Sequence, residues 1–117
     1  MSTINYVINK EKRTVVCIMR NAEEDACGPV EKYLDSKGLS FDWATYKKLL
    51  LPESIVGVAK CNPNDEWDEE FGKRLARKRC YDKYEAIKLE KLRKFWNEII
   101  SLAHLVYDKL IIPIESR

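Results

Sequence analysis

With 117 residues, the chain has the size of one domain and is large enough to bury a modest core without disulfide bonds. Its 45% hydrophobic and 34% charged residues exclude a disordered chain. No apolar run approaches the roughly 18 residues of a membrane-spanning helix, and the formal net charge of +2 conceals one strongly basic section. Residues 1–5 have neither the basic start nor the apolar stretch of a signal peptide, so we expect a cytoplasmic protein with no membrane partner.

The chain begins with a pattern typical of a β-hairpin between Ile4 and Met19. Two β-rich runs, residues 6–8 and 14–18, flank a polar turn at residues 9–13. The second run is apolar almost throughout, which indicates a central strand covered on at least one face.

A first helix is expected between Glu23 and Ser36. Acidic residues open it, and Gly38 stands where a C-terminal cap belongs. Proline inside a helix costs about 3 kcal/mol or more. Because Gly28-Pro29 interrupts the pattern, the helix begins either at Glu23 or at Pro29.

Residues 39–51 fit two structures. Trp43 and Tyr46 suit a strand, whereas Asp42 suits the N-cap of a short helix. We favour the strand, because a proline then separates this apolar run from a second one.

That second run, residues 54–61, predicts a further strand. Gly57 lies inside it. A glycine within a strand indicates a bulge or a close approach of another backbone.

Five acidic residues crowd the stretch from Asn62 to Glu70. They are typical of the start of a long helix, with Asn64 or Asp65 as N-cap. The alternatives are a divalent-cation site or a surface that imitates nucleic-acid phosphate. The residues of such an acidic partner surface are Asp65, Glu66, Asp68 and Glu69.

Residues 68–110 predict one very long helix, or two helices with little between them, since no glycine follows Gly72 and no proline precedes Pro113. At about 1.5 Å per residue, one helix would be roughly 65 Å long. A compact domain of this length has a radius of gyration near 13 Å. The helix therefore either breaks around residues 82–88 or projects and finds a partner.

The second half of this segment carries an apolar seam with steps of three and four residues. We favour packing of this seam on the protein's own sheet, and the alternative is a seam for a homodimer. Its members are Leu89, Leu92, Trp96, Ile99, Ala103, Val106 and Leu110.

Residues 73–94 contain ten basic and three acidic residues, a local net charge of +7. Basic residues interleaved with tyrosines suit a surface that follows phosphates and stacks a base. The alternative is a solvated helix face with intrahelical ion pairs. The residues assigned to this nucleic-acid or partner-binding surface are Lys73, Arg74, Arg77, Lys78, Arg79, Tyr81, Lys83 and Tyr84.

Residue patterns that would support catalysis are missing from the sequence. The four cysteines lack CxxC spacing and are expected to be free thiols, buried or half-buried. His104 is the single histidine and is interpreted as a half-buried packing residue. The glycines are scattered singly and form no phosphate-binding loop. We therefore expect no enzymatic activity, no cofactor and no metal.

The segment from Gly57 to Arg79 reads GVAKCNPNDEWDEEFGKRLARKR. It resembles a segment of small uncharacterised proteins of phages and prophages of Gram-positive bacteria. In those proteins a Gly-x-Ala-x-Cys strand leads through a proline and acidic residues into a Gly-Lys-x-x-Ala-x-x-Arg helix. The resemblance covers about a fifth of the chain. It implies an origin in a mobile element and a location in the cytoplasm of a bacterial host.

Together these patterns predict a single α+β domain over residues 1–117. Residues 1–61 hold a small antiparallel sheet of three to four strands and a short helix, in the order β-β-α-(β)-β-α. Residues 62–112 form the long helical region and 113–117 a tail.

The preferred function is a non-catalytic phage or mobile-element protein that binds and modulates or inhibits a host nucleic-acid-handling complex, in the manner of anti-CRISPR and other anti-defence proteins. Its partner is then a host protein or ribonucleoprotein complex. The alternatives are direct, sequence-independent binding of DNA or RNA through the basic helix, and a homodimeric structural protein held together by the apolar seam.

Overall fold

A computed structural model of the chain describes residues 2–39 and 42–116. The described residues form an α+β fold, as predicted, with a small antiparallel sheet and a long C-terminal helix. Its elements are β1 (Thr3–Asn9), β2 (Thr14–Arg20), α1 (Cys27–Ser36), α2 (Trp43–Leu49), β3 (Ser54–Lys60), α3 (Glu69–Val106), a π-helical turn (Tyr107–Ile111) and α4 (Ile112–Glu115).

The sheet has the order β1-β2-β3, and both pairings are antiparallel. Tyr6 of β1 lies opposite Cys17 of β2, which in turn lies opposite Gly57 of β3. The predicted hairpin is therefore confirmed, with the apolar second run as the central strand. In its turn, Asn9 accepts a hydrogen bond from the backbone N–H of Lys12 at 3.0 Å.

The favoured strand within residues 39–51 is wrong. The described part of this segment forms helix α2, because the carboxylate of Asp42 accepts the backbone N–H of Thr45 at 2.8 Å and so caps the first turn. Residues 40 and 41 lie outside the described residues. The sheet consequently has three strands in the described part of the chain.

Helix α1 begins at Cys27, between the two starting points that the sequence left open. Its third residue is Pro29, which the first turn of a helix tolerates because the amide N–H there has no intrahelical partner. Gly38 follows the helix with φ +70, as expected of a C-terminal glycine.

Helix α3 packs on one face of the sheet, mainly over β3 and β2. Ala76 and Cys80 are fully buried there against Gly57, which confirms the predicted close backbone approach. The thiol of Cys80 donates to the carbonyl of Ile55 at 3.3 Å. The buried residues of this core are Val15, Cys17, Met19, Ala22, Ile55, Ala59, Ala76 and Cys80.

A second core lies where α1 and α2 meet the middle of α3. Cys27 and Leu49 are fully buried, and the half-buried Leu92 and Phe95 of α3 pack against this cluster. Lys48 at the end of α2 also pairs with Glu98 at 3.1 Å. The two short helices therefore cover α3 only as far as this region.

Helix α3 runs unbroken through residues 82–88, so the long segment is one helix. Its N-cap is Asp68, which accepts the N–H of Phe71 at 3.1 Å, and neither Asn64 nor Asp65 has that role. Helical structure continues past Pro113, since α4 extends to Glu115. The molecule measures 76 × 25 × 18 Å with a radius of gyration of 21.2 Å, because the end of the helix projects from the body.

The buried Cys17 thiol should make stability fall at alkaline pH. Burial raises the pKa of Cys17 from 9.0 to about 11, with a further contribution from neighbouring Cys80. Because the folded-state pKa is the higher one, this stabilisation is complete below about pH 9 and is lost as the pH rises through 11. We expect urea unfolding midpoints to decline over that interval in the wild type and to decline less in Cys17→Ala. Cys61→Ala is the matched control, because it removes a thiol at a half-exposed position. Equal slopes for Cys17→Ala and the wild type would contradict this account.

Candidate binding surfaces along the long helix

The basic section of α3 does not form one surface. Because the helix has 3.6 residues per turn, its cationic side chains point to three different sides of the helix. Lys73, Arg77 and Lys88 lie beside tyrosines, Arg79 and Lys83 lie along the edge of β3, and Arg74 and Lys78 point to solvent.

The first side alternates cations and aromatic rings, and we call Lys73, Arg77, Tyr81, Tyr84 and Lys88 the basic–aromatic ridge. Its cationic atoms stand over ring faces, at distances typical of cation–π contacts. Arg77 Cζ lies 5.5 Å from the ring centroid of Tyr81, and Lys88 Nζ lies 5.7 Å from that of Tyr84. The two tyrosines meet edge to face with centroids 6.2 Å apart. The ridge is therefore a strip of cationic and aromatic side chains, in which Arg77 is exposed and the other four are half-buried.

Strand β1 adds a residue to this strip that the sequence did not indicate. Lys73 Nζ lies 5.8 Å from the ring centroid of Tyr6, which reaches α3 from the edge strand. Lys73 also pairs with Glu69 at 3.7 Å and with Glu70 at 3.6 Å. Only the pairing of β1 with β2 brings Tyr6 here, so no local pattern could have revealed it.

Two groups at the ridge have shifted pKa values. A hydrogen bond between the Arg77 and Tyr81 side chains raises the pKa of Arg77, so its guanidinium stays charged. Burial and a hydrogen bond to Asp25 raise the pKa of Tyr84 to about 12. The Tyr84 hydroxyl donates to Asp25 at 2.5 Å and so holds one end of the ridge against the loop before α1.

Arg79 and Lys83 have a structural role instead. Arg79 donates to the carbonyl of Val58 at 2.7 Å, and Lys83 donates to that of Val56 at 2.8 Å. Both carbonyls belong to β3, an edge strand whose free backbone groups could otherwise pair with another chain. These two residues of the predicted binding surface therefore satisfy the sheet edge.

Arg74 and Lys78 are exposed on the side of α3 away from the sheet. Lys78 pairs with Asp82 at 3.2 Å, but both side chains are mostly exposed, so this ion pair contributes little to stability. Both cations are accessible to a partner.

The acidic residues before and within the first turn serve the helix start. Asp68 caps it, and Glu69 pairs with Lys73. The backbone carbonyl of Asp65 accepts a hydrogen bond from Arg13, and that of Glu66 lies 3.7 Å from the Cys61 thiol. All four predicted acidic residues stay exposed, so they are available as an acidic surface as well.

The face of the sheet opposite α3 is a second surface that the sequence analysis missed, and we call it the outer sheet face. Strand residues alternate between faces, and the register places apolar side chains side by side here. They form two rows: Val7, Val16 and Val58 in one, and Ile18 and Val56 in the other. Val7 is 54% exposed and Val58 is 42% exposed. The apolar character of β2 on both faces was the signal that could have indicated this patch.

The apolar seam is mostly exposed, so its favoured packing on the protein's own sheet is wrong. Leu92 is half-buried beside α1 and α2, whereas Trp96, Ile99 and Leu110 are exposed. From Cys80 to Trp96 the helix turns through sixteen residues, which points Trp96 about 160° away from the sheet side. The helical end beyond Phe95, residues 96–116, is called the arm below.

A small cavity of about 330 Å³ lies between the strand ends and the start of α3, lined in part by Cys61, Trp67 and Phe71. Arg13 donates to Cys61 Sγ at 3.2 Å on one side of it. Cys17, Cys27 and Cys80 are buried and Cys61 is half-buried, all as free thiols, as predicted. His104 is exposed on the arm, so its interpretation as a packing residue is wrong. In residues 2–39 and 42–116, no group of three or more His, Cys, Asp or Glu side chains could hold a metal ion.

Comparison of the chain with protein-family models, with curated proteins and with solved structures found no match. The resemblance to phage and prophage proteins stays a prediction. Within the described ranges, no helix is both long and apolar enough to cross a membrane.

Proposed function

We propose that the protein is a small non-catalytic protein, of mobile-element origin, that binds a host nucleic-acid-handling complex and modulates or inhibits it. The observation that carries this proposal is the basic–aromatic ridge. Cations held over tyrosine faces offer charge for phosphates and flat apolar surface for bases or aromatic side chains in one strip. A complex of protein and nucleic acid presents both kinds of group.

The outer sheet face supports a protein component in that complex. Exposed Val7 and Val58 with their apolar neighbours form a patch of the kind that marks protein interaction sites. An apolar patch of this kind does not bind phosphate groups. The ridge and the patch together favour a partner with a nucleic-acid part and a protein part.

A pull-down from host lysate with the tagged protein, with and without nuclease, tests this proposal. The wild type should retain a protein complex that survives nuclease treatment. Arg77→Glu places an acid in the middle of the ridge and should reduce recovery at least about tenfold, since like charges across an interface cost several kcal/mol. Lys94→Glu is the matched control, because it makes the same charge change in an exposed i,i+4 pair with Glu90 outside the ridge. Recovery of nothing, or of nucleic acid that nuclease removes completely, would contradict the proposal.

Direct, sequence-independent nucleic-acid binding is a second candidate, favoured by the stacking of Lys73, Arg77 and Lys88 on tyrosine rings. It predicts that the logarithm of the affinity for labelled duplex DNA, duplex RNA or single strands falls linearly with the logarithm of salt concentration. Arg77→Gln should weaken binding of all sequences and reduce that slope by about 1. Lys94→Gln is the control. Absence of binding at low salt would exclude this candidate.

A further inference from the structure

The arm presents more apolar surface than a lone helix in water should expose. Trp96 is 60% exposed, Leu102 62% and Leu110 61%. Beyond Ala103, apolar residues occupy nearly every side of the helix, and a helix that is hydrophobic all round is normally buried. The further exposed apolar residues of the arm are Ile99, Leu105, Val106, Tyr107, Ile111, Ile112 and Ile114.

The seam has the spacing of a coiled coil. Its steps of three and four place Leu89, Trp96 and Ala103 at one core position of a seven-residue repeat, and Leu92, Ile99 and Val106 at the other, up to the π-helical turn at Tyr107–Ile111. Leu92 is partly covered by α1 and α2, whereas the members from Trp96 onward are exposed and extend beyond the sheet, so a helix that faces them has to come from another chain.

We propose that the arm pairs with the arm of a second copy of this chain, the two helices running antiparallel. One register satisfies the repeat. It sets Trp96 of each protomer beside Val106 of its partner and Ile99 beside Ala103. The two-fold axis crosses the pair at the height of Ser101, whose side chain lies on the outer side of each helix. On one flank of the seam Ile100 contacts Ile100 of the partner protomer, and on the other flank Leu102 contacts Leu102 of the partner protomer.

The surface available is sufficient for a stable pair. Seven apolar side chains lie on or beside the seam within the arm: Trp96, Ile99, Ile100, Leu102, Val106, Tyr107 and Leu110. At on the order of 60 Å² each, two chains would bury about 840 Å² of apolar surface. Since apolar atoms make up roughly 60% of an interface, the total approaches about 1,400 Å². That is the size of a standard stable protein–protein interface.

Charge decides the direction. The base of the arm has a net positive charge, with Lys88, Lys91, Arg93 and Lys94 against Glu90. Near the tip the charges of Asp108 and Glu115 balance those of Lys109 and Arg117, and the helix dipole adds its negative end. A parallel pair would bring the two basic bases together. An antiparallel pair brings each tip toward the partner's basic base and places the two bodies at opposite ends. Like-charge repulsion therefore disfavours the parallel arrangement.

Sedimentation equilibrium at tens of micromolar tests the pairing. The wild type should sediment at twice the chain mass of 13.7 kDa. Ile99→Asp would bury two unpaired carboxylates in the interface and should weaken association at least about 100-fold, giving monomers with wild-type helix content by circular dichroism. Ser101→Asp, on the outer side of the same helix, is the matched control and should remain paired. A monomeric wild type, or an Ile99→Asp protein that stays paired, would overturn the proposal.

Cysteine cross-linking in a Cys61→Ala background tests the direction. Leu102→Cys should form a disulfide-linked pair on oxidation, because the two copies meet beside the axis. Ser116→Cys should not, since fifteen residues on either side of Ser101 separate the tips by about 45 Å. Cross-linking at residue 116 and none at 102 would overturn the antiparallel arrangement.

This pairing goes beyond the proposed function and can fail separately from it. Arg77→Glu alters the ridge and should leave the mass unchanged, while Ile99→Asp alters the arm and leaves the ridge intact.

Discussion

Replacing Gly57 by alanine is expected to lower the free energy of unfolding by about 3 kcal/mol or more, because overpacking against backbone cannot be relieved by a rotamer change. An added Cβ would lie 2.2 Å from the carbonyl oxygen of Ala76 and 2.3 Å from the amide nitrogen of Cys80. Helix α3 would have to move off β3, and the bond between Cys80 and Ile55 would be lost with it. Urea denaturation followed by circular dichroism measures the effect.

Gly28→Ala is the matched control for that experiment. Apart from its chain neighbours and the backbone of its own helix, no described heavy atom lies within 4 Å of a Cβ at residue 28, and its φ is not positive. Alanine is also the better helix former, so we expect a change of at most about 1 kcal/mol in the stabilising direction. If Gly57→Ala changed stability no more than Gly28→Ala, the proposed contact between α3 and β3 would be refuted.

The Leu49→Ala variant should lose about 3 kcal/mol of stability, within the range measured for buried leucines. Leu49 is fully buried where α1 and α2 pack on α3. Because the buried residues of this second core form a cluster of their own, joined to the core under the sheet through the half-buried Tyr84 and Ile87, loss of amide-exchange protection should be greatest in α1 and α2 and smallest in β2.

Leu39→Ala provides the comparison, since Leu39 is 56% exposed and should change stability by no more than about 0.5 kcal/mol. Equal effects of the two leucine variants, or uniform loss of protection across β2 and α1, would show that the two cores are not separate units.

These cores explain why one helix can serve several purposes. The first half of α3 is held by the sheet and carries the ridge, whereas its far end leaves the body as the arm. A rigid helix connects the two. If both proposals hold, an antiparallel pair displays two bodies, each with its own ridge and outer sheet face, at opposite ends of one rod.

Local signals in the sequence determined most elements. The β-rich runs around residues 9–13 predicted the hairpin, and the absence of helix breakers between residues 73 and 110 predicted the long helix. Gly57 indicated the close backbone approach. Each of these features depends on residues that are neighbours in the chain, so a sequence pattern can predict it. The strand predicted within residues 39–51 was wrong because two local signals competed there. The helix cap formed by Asp42 outweighed the strand propensity of the aromatic residues.

The sequence also supplied the candidate residues, but not the surfaces on which they lie. The sequence predicted one binding surface for the basic residues of α3, yet only the packing of the sheet beside the helix decided that Arg79 and Lys83 bond to β3 and that Tyr6 joins Lys73. The sequence showed the seam as an amphipathic pattern, but it did not show which surface covers the seam. The sequence alone determined the elements and their apolar sides, and the tertiary structure decided which sides are covered, because coverage depends on contacts between residues far apart in the chain.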